Sequence, residues 1–295
     1  MEIINLDIQL ARILKEEEDA DSLEEFEQNC KIKLFQNNFV IFYKISVSQI
    51  NILQINQKSE TLFKNDNFIL NQDCNIIKGM AVECTKDTIY LYAVYSLTIE
   101  SNLKKCIFSF DKCLNHIRVI ELEYGIEFFL ITSFDFNLFT ISVVNNITIL
   151  TVYGQNLEIL ETKGQGNRDL PFYFPLNLIT KIQVTDKHII LVVLEVDMDF
   201  YFNYVVIMDR FNGFSWRTNI RLESTMLTRS YLNRFLVAYD KESTFIQLYD
   251  YSSNIIAQFK NLILENGTVL MDICQNEILF YDQRKKNIYV LFKNI

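Results

Sequence analysis

The nine residues HIILVVLEV, at positions 188–196, decide the fold, because apolar side chains occupy both faces of the strand that they predict. A strand with one face in water alternates apolar and polar residues, so this strand is expected to be covered on both sides. The same pattern occurs in FVIFYKI (39–45), TIYLYAVY (88–95) and FLVAY (235–239). Helical periodicity occurs only in the acidic stretch 11–29, so other sheets must supply the cover.

A unit of four short strands recurs after residue 30. The units begin near residues 31, 76, 126, 178, 224 and 268, and their spacing of about 44 to 52 residues is typical of β-propeller blades. The sixth unit reaches Ile295 without a fourth strand, and residues 2–9 offer a spare one.

Because propellers remove exposed edges by closing, the sequence predicts an all-β fold of six four-stranded blades, the last completed by residues 2–9. The chain then forms a single domain, with the closing strand and a short acidic helix or linker in residues 1–30 and the propeller in residues 31–295. A seventh irregular blade within residues 1–30, or an unclosed fragment, remains an open alternative.

The chain resembles β-propeller repeat proteins, including the WD40-like kind, over essentially its whole length. Where a WD40 repeat carries Trp-Asp, this sequence has Phe110-Asp111, Met208-Asp209 and Tyr249-Asp250. Asn56 and Tyr153 stand at the Asp position of two other units, and the Gly-His signature of WD40 repeats does not occur.

Composition narrows the possible functions. The 295 residues are 49% apolar and 22% charged, and their formal charge of −9 disfavours binding to nucleic acid. The sequence shows neither a cationic, apolar leader nor a charge-free apolar run of about 18 residues. Six cysteines without a CxxC pair are expected to be buried thiols. These features predict a cytoplasmic protein without membrane insertion, and the abundant Asn, Ile and Lys are typical of an AT-rich eukaryotic genome.

Two long connections suggest a partner-binding patch. Residues 196–203 are interpreted as the loop between the second and third strands of the fourth blade, and residues 163–177 as the connection that enters this blade. Chain direction places both on one face of a propeller. The candidate residues are Phe172, Tyr173, Phe174, Asp197, Asp199, Phe200 and Tyr201. Aromatic side chains with a carboxylate rim suit a basic, partly apolar protein segment, although the aromatic residues could instead fold inward.

Metal and catalytic sites receive less support. Glu195, Asp197 and Asp199 would share one face of a strand, but they are weak metal candidates because the stretch lacks the spacing and glycine of a calcium loop. The two histidines, His116 and His188, lie in strand segments, and no nucleophile or phosphate-binding motif occurs. We expect no catalytic residue and no cofactor.

The sequence therefore predicts a non-enzymatic propeller scaffold or adaptor that binds proteins within a larger intracellular complex. One alternative is a ligand- or glycan-binding propeller of an extracellular or organellar protein. The other is a propeller hydrolase or lyase with a site in the central channel.

Overall fold

The computed structural model describes residues 2–5, 30–36, 38–56, 60–97, 103–122, 126–144, 147–164, 179–197, 200–211, 215–222, 227–231, 235–240, 245–250, 254–259, 268–274, 277–282 and 287–292. Side chains are described mainly between residues 30 and 211. All regular secondary structure in these ranges is β-strand, so the prediction of an all-β fold is confirmed. The acidic stretch 11–29 lies outside the described residues. No helix with the length and apolarity to cross a membrane occurs among the residues described.

The described strands form six sheets of four strands each. Sheet 1 contains β2 (Cys30–Phe35), β3 (Asn38–Lys44), β4 (Gln49–Ile55) and β5 (Thr61–Ile69). Sheet 2 contains β6 (Cys74–Cys84), β7 (Ile89–Leu97), β8 (Leu103–Phe110) and β9 (His116–Glu121). Sheet 3 contains β10 (Ile126–Phe134), β11 (Asn137–Val144), β12 (Ile147–Tyr153) and β13 (Ile159–Gly164).

The second half of the chain repeats this order. Sheet 4 contains β14 (Ile179–Val184), β15 (His188–Asp197), β16 (Phe200–Asp209) and β17 (Ser215–Leu222). Sheet 5 contains β18 (Leu227–Tyr231), β19 (Phe235–Asp240), β20 (Phe245–Asp250) and β21 (Ile255–Phe259). Sheet 6 contains β22 (Thr268–Cys274), β23 (Glu277–Asp282), β24 (Asn287–Phe292) and β1 (Glu2–Asn5).

The sheets follow one another in a propeller arrangement. In sheet 6, β1 pairs antiparallel with β24, with Glu2 opposite Val290 and Asn5 opposite Asn287. The first strands of successive sheets contact one another, from β2 to β6 and onward to β22, and β22 contacts β2. Four-stranded sheets that radiate in sequence from their first strands are typical of a β-propeller.

A buried apolar cluster fills the space between sheets 1 and 2. Sheet 1 contributes Val40 and Phe42, and sheet 2 contributes Leu91, Phe108 and Phe110. The rings of Phe42 and Phe110 meet edge to face, with their centroids 5.8 Å apart. Burial of each such side chain stabilises the fold by about 1.5–3 kcal/mol, so each sheet depends on its neighbour.

Strand β15 shows that a sheet needs a neighbour on either side. Ile189, Leu191 and Val193 pack in one cluster with apolar residues of sheet 3. Ile190 and Val192 lie on the opposite face of the same strand, and they are buried as well. The two-sided cover predicted from HIILVVLEV is therefore confirmed for residues 189–193.

A capped five-residue turn joins the third and fourth strands of sheet 2. The N–H of Asp111 donates to the carbonyl of Asn115 at 3.0 Å. Asp111 Oδ1 accepts hydrogen bonds from the N–H groups of Cys113 and Asn115 at 2.8 and 2.9 Å. In sheet 4, Asp209 Oδ1 likewise accepts from the N–H of Phe211 at 2.9 Å. These aspartates recur because their carboxylates satisfy N–H groups that no strand partner reaches.

Tyr153 does not stand at the aspartate position of sheet 3, contrary to the sequence-based assignment. Tyr153 pairs with Ile159 as the last pair of its two strands. Gly154 therefore opens the turn, and its N–H donates to the carbonyl of Glu158 at 2.9 Å. Glu158 supplies the cap from the far end, because its Oε2 accepts from the N–H of Asn156 at 2.9 Å. A Cβ at position 154 would meet the Glu158 carboxylate, which would have to shift and leave its capping position.

The turn geometry lowers the pKa of the Asp111 carboxyl group. Burial opposes ionisation, but hydrogen bonds from the Asn115 side chain and from the N–H groups of Asn115 and Cys113 outweigh it. Because the folded pKa is lowered, the carboxylate stabilises the fold above its unfolded pKa of about 4. That stabilisation is lost as the pH falls through the folded value.

We expect Asp111→Asn to lower the free energy of unfolding by about 1 kcal/mol at pH 7, because charge-assisted hydrogen bonds are replaced by weaker neutral ones. The difference from the wild type should shrink below about pH 4, as measured by urea unfolding over a pH series. Asp87→Asn, at an exposed position in the turn between β6 and β7, serves as the control. A difference that does not change with pH would contradict the capping role.

Candidate functional site

Among the described strands of sheet 4, the second and third share the longest pairing. Strands β15 and β16 pair from His188 opposite Asp209 to Asp197 opposite Phe200. The pairing of β14 with β15 ends at Val193, and that of β17 with β16 ends at Asn203. Within the described part of the chain, residues 194–197 and 200–202 pair only with each other and form a two-stranded ribbon. The residues that would flank this ribbon in sequence, 175–178 and 223–226, lie outside the described residues.

The interpretation of residues 196–203 as a loop is wrong. Val196 lies opposite Tyr201 in the paired region, so only Met198 and Asp199 separate the two strands. The aromatic run from Phe200 favours an extended backbone, and a two-residue connection is the commonest for a β-hairpin. The segment is long because its strands are long.

The ribbon contains part of the predicted patch. Asp197 ends β15, and Phe200 and Tyr201 begin β16. Phe172, Tyr173, Phe174 and Asp199 lie outside the described residues. The juxtaposition of the two connections therefore stays a prediction.

The weak metal candidates are also only partly placed. Glu195 and Asp197 lie opposite Phe202 and Phe200, two positions apart in β15, so they belong to one face of the ribbon. The third candidate, Asp199, is outside the described residues. Among the side chains that the structure describes, no group of three His, Cys, Asp or Glu residues gathers as metal ligands. Two carboxylates alone fall short of the six to eight oxygens that Ca²⁺ takes.

A polar cluster links the first strands of sheets 1, 2 and 3. Lys33 Nζ lies 3.0 Å from Glu83 Oε1, and the two side chains are only 11% and 13% exposed. The Ser133 hydroxyl lies 3.2 Å from Glu83 Oε2 and donates to the carbonyl of Cys84 at 2.8 Å. The single Ser133 proton goes to the nearer Cys84 carbonyl, so the ion pair with Lys33 is the main contact of Glu83. This arrangement favours a structural link between sheets over a base that activates the serine.

The two histidines occupy packing and turn positions. His116 packs with tilted rings, at centroid distances of 5.7–5.9 Å, against Phe68, Phe108 and Phe110. His188 ends the turn between β14 and β15, where its N–H donates to the Thr185 hydroxyl at 2.9 Å. Burial lowers the pKa of His188, so its imidazole is neutral at pH 7.

Arg210 joins sheets 3 and 4. It lies on the face that carries two kinds of turn, those between the first and second strands of a sheet and those between the third and fourth. Its guanidinium lies 4.8 Å from the ring centroid of Phe139 and donates to the carbonyl of Thr185 at 3.4 Å. Phe211, beside it, is 74% exposed. The cation–π contact fixes the turn and leaves an aromatic ring in water.

Sequence analysis missed a groove of about 560 Å³ between sheets 2 and 3. Strand β9 forms one wall, and the face of sheet 3 forms the other. A signal was present, because Thr140, Ser142 and Thr151 place hydroxyl groups in strands that are otherwise apolar. The side chains that face these hydroxyls become known only when the sheets are packed.

We expect Glu83→Ala to lower the free energy of unfolding by about 3 kcal/mol, because Lys33 is left as a nearly buried, uncompensated charge. The double variant Lys33→Met, Glu83→Leu should recover most of this loss in urea unfolding. Asp66→Ala breaks the exposed Lys64–Asp66 pair, whose side chains are 44% and 42% exposed, and should cost less than about 1 kcal/mol. Equal losses for Glu83→Ala and Asp66→Ala would argue against the structural link.

No protein-family profile matches this chain. A search of curated proteins finds no similar sequence. Among solved structures, the chain is similar to a protein of unknown function from Bacteroides caccae, at 12% identity and a TM-score of 0.47, over 90% of this chain and 94% of that one. For the β-propeller domain of the Trilobed protease from Pyrococcus furiosus, the identity is 10%, the TM-score 0.47, and the coverage 86% and 79%. For acylaminoacyl peptidase from Pyrococcus horikoshii, the identity is 10%, the TM-score 0.46, and the coverage 88% of this chain but 44% of that one. These similarities assign no activity to the chain, which spans less than half of the peptidase.

Proposed function

We propose that this chain is a non-enzymatic scaffold or adaptor that binds protein partners within a larger intracellular complex. It acts as a single-domain, six-bladed propeller closed by its N-terminal strand. Residues 31–295 form the blades, and residues 1–30 contain the closing strand and the acidic segment. The protein needs no cofactor in this role, and its partners are proteins and not nucleic acids.

The contacts of the first strands support the closed ring. β22 contacts both β18 and β2, which places a neighbour on each side of the last sheet. β1 supplies the fourth strand of that sheet by pairing with β24. A ring closed in this way removes the two exposed sheets that an open array would leave.

The ribbon of sheet 4 is the observation that carries the proposed partner binding. Within the described residues, its strands pair only with each other over residues 194–197 and 200–202, and their outer backbone edges are the ones to which the partner would bind. Such edges pair with strands of other chains. An isolated two-stranded ribbon is only marginally stable, so contact with a partner would stabilise it.

Hydrogen bonds between sheets hold other turns in place, as a scaffold requires. The Gln36 side chain in sheet 1 donates to the carbonyl of Lys86 in sheet 2 at 2.6 Å. The N–H of Lys86 donates to the carbonyl of Asp135 in sheet 3 at 3.0 Å. Arg118 donates to the carbonyl of Asn156 at 2.8 Å across the same two sheets. Turns that are fixed before binding lose little entropy when a partner binds.

The chemistry of the ribbon segment favours a basic, partly apolar partner segment. Residues 194–203 contain Glu195, Asp197 and Asp199 together with Phe200, Tyr201 and Phe202. Carboxylates attract cationic side chains of a partner and set its orientation, while aromatic residues contribute most to affinity.

The two alternatives make different demands on the chain. An extracellular or organellar ligand-binding propeller would need disulfides, which a mass shift on reduction and alkylation would reveal. A hydrolase or lyase would need unengaged carboxylates, Arg or His near the axis. The ion pair that holds Glu83 against the nearly buried Lys33 favours the scaffold over this alternative.

Replacement of residues 195–202 by Asn-Gly tests the proposed binding surface. Leu194 lies opposite Asn203, so a two-residue turn can join them without strain. We expect the thermal unfolding midpoint to change by less than about 2 °C, because the removed residues pair with each other. Capture of a protein partner from extracts of the source cells should be lost.

Val47→Ser serves as the control for this variant, because Val47 is 53% exposed in the corresponding connection of sheet 1. It should retain the partner. Unchanged capture by the shortened variant would exclude the ribbon as the contact, and a large fall in the unfolding midpoint would identify the ribbon as part of the core.

Deletion of residues 1–10 tests the closure. We expect the unfolding midpoint to fall by about 5 °C or more, because four backbone pairs with β24 are lost, each worth about 0.5–1.5 kcal/mol. Addition of a synthetic peptide of residues 1–10 should restore the midpoint. An unchanged midpoint after the deletion would disprove closure by this strand.

A further inference from the structure

The groove between sheets 2 and 3 runs along the outer strand of sheet 2. β9 contributes Arg118 and Ile120, and the facing wall includes Ser142, Thr151 and Tyr153 of sheet 3. The groove has a volume of about 560 Å³. Its lining includes four residues of the β9 segment, from Arg118 to Leu122, so an occupant would lie beside this strand.

The groove exists because sheet 3 presents small side chains to sheet 2. Phe110 and Tyr153 each stand immediately before the five-residue turn of their sheet, so Thr151 corresponds to Phe108. Phe108 fills the equivalent space between sheets 1 and 2, where its ring lies edge to face with Phe68 at 5.4 Å. Between sheets 2 and 3, the smaller Thr151 side chain leaves the corresponding volume empty.

One further position shows a similar replacement, because Thr140 in β11 corresponds to Leu91 in β7. Ser142 corresponds to Ala93, so it adds a hydroxyl group at a position that is small in both sheets. The Thr140 hydroxyl donates to the carbonyl of Thr151 at 3.5 Å. The wall therefore combines apolar side chains with hydroxyl groups, which an occupant could bond.

Strand β9 is the outer strand of sheet 2 beside this groove. It pairs with β8 on one edge, and no strand in the described part of the chain pairs with the other. An added strand could take hydrogen bonds from that edge. Ile117 and Val119 lie on the opposite face of β9 and are exposed, whereas Ile120 faces the groove.

The charges that line the groove have partners within the protein. Arg118 donates to the carbonyl of Asn156 at 2.8 Å, and Glu121 lies 2.6 Å from Lys104. Glu158 caps the N–H of Asn156 at 2.9 Å. Arg118 and Glu158 carry opposite charges, and Lys104 balances Glu121, so the charges at the groove cancel and favour an uncharged occupant.

We propose that this groove binds an extended, uncharged protein segment with alternating apolar residues, which adds as a fifth strand to β9. The inference deepens the proposed scaffold function and rests on it. Backbone hydrogen bonds to β9 supply affinity, and the groove selects side chains at every second position of the added strand.

A synthetic, fluorescein-labelled peptide, Gly-Ser-Ile-Thr-Val-Ser-Leu-Thr-Gly, is a suitable probe for fluorescence polarisation. We expect Thr151→Phe to weaken its binding at least about tenfold by filling the groove as Phe108 fills its own space. Thr162→Phe should weaken binding to a similar extent. Because Thr162 is exposed, this variant should fold normally even if Thr151→Phe does not. A peptide with alternate amides N-methylated should also bind at least about tenfold more weakly.

Ile117→Ser is the matched control, since it changes an exposed residue of the same strand outside the groove and should alter binding less than about twofold. No binding to the wild type, or binding unaffected by both phenylalanine variants, would overturn the proposal. So would a wild-type dimer that Thr151→Phe converts to a monomer, because the occupant would then be a second copy. Partner capture that depends on the ribbon, with no peptide binding in the groove, would reject this site while leaving the scaffold function in place.

Discussion

Packing between neighbouring sheets is the interaction on which the rest of the structure depends. The contact of Phe42 in sheet 1 with Phe110 in sheet 2, at 5.8 Å, joins residues that are far apart in the chain. Strands such as β15 bury apolar side chains on both faces, so no sheet satisfies its own hydrophobic surface. A sheet removed from the series would expose its two neighbours, which makes the ordered array the unit of stability.

Polar contacts add specificity to this apolar packing. Lys33, Glu83 and Ser133 connect the first strands of three successive sheets, and Arg210 connects the outer turn of sheet 4 to an aromatic ring of sheet 3. Hydrogen bonds depend on direction, so they fix the relative positions of the sheets more narrowly than apolar contact does. The turns are held as a consequence, and side chains such as Phe211 are presented to solvent from a fixed backbone.

Departures from the repeat mark the places available for function. Thr151 in sheet 3 stands where sheet 2 has Phe108, and this difference of one ring opens a groove. In sheet 4, β15 and β16 pair with each other over ten residue pairs and form the ribbon. Neither departure disturbs the capped turns, because Asp209 satisfies the N–H of Phe211 in the sheet that carries the ribbon. The repeat thus supports stability while single sheets vary.

Three features could be predicted from the sequence, because each depends on neighbouring residues in one strand or turn. They are the strand positions, the turns at Asp111 and Asp209, and the two-sided cover of HIILVVLEV. The length of the hairpin at 196–203 and the true turn position in sheet 3 could not, since strand register decides whether a polar residue is paired or lies in a loop. Of the candidate site, the sequence indicated Asp197, Phe200 and Tyr201 but not the ribbon that contains them. The groove beside β9 could not be predicted from the sequence, because an empty volume depends on how two sheets face each other. By itself the sequence determined which residues form strands and that both faces are buried, through local periodicity. Only the tertiary structure decided which side chains meet across the sheets, because those contacts join residues separated by a whole repeat.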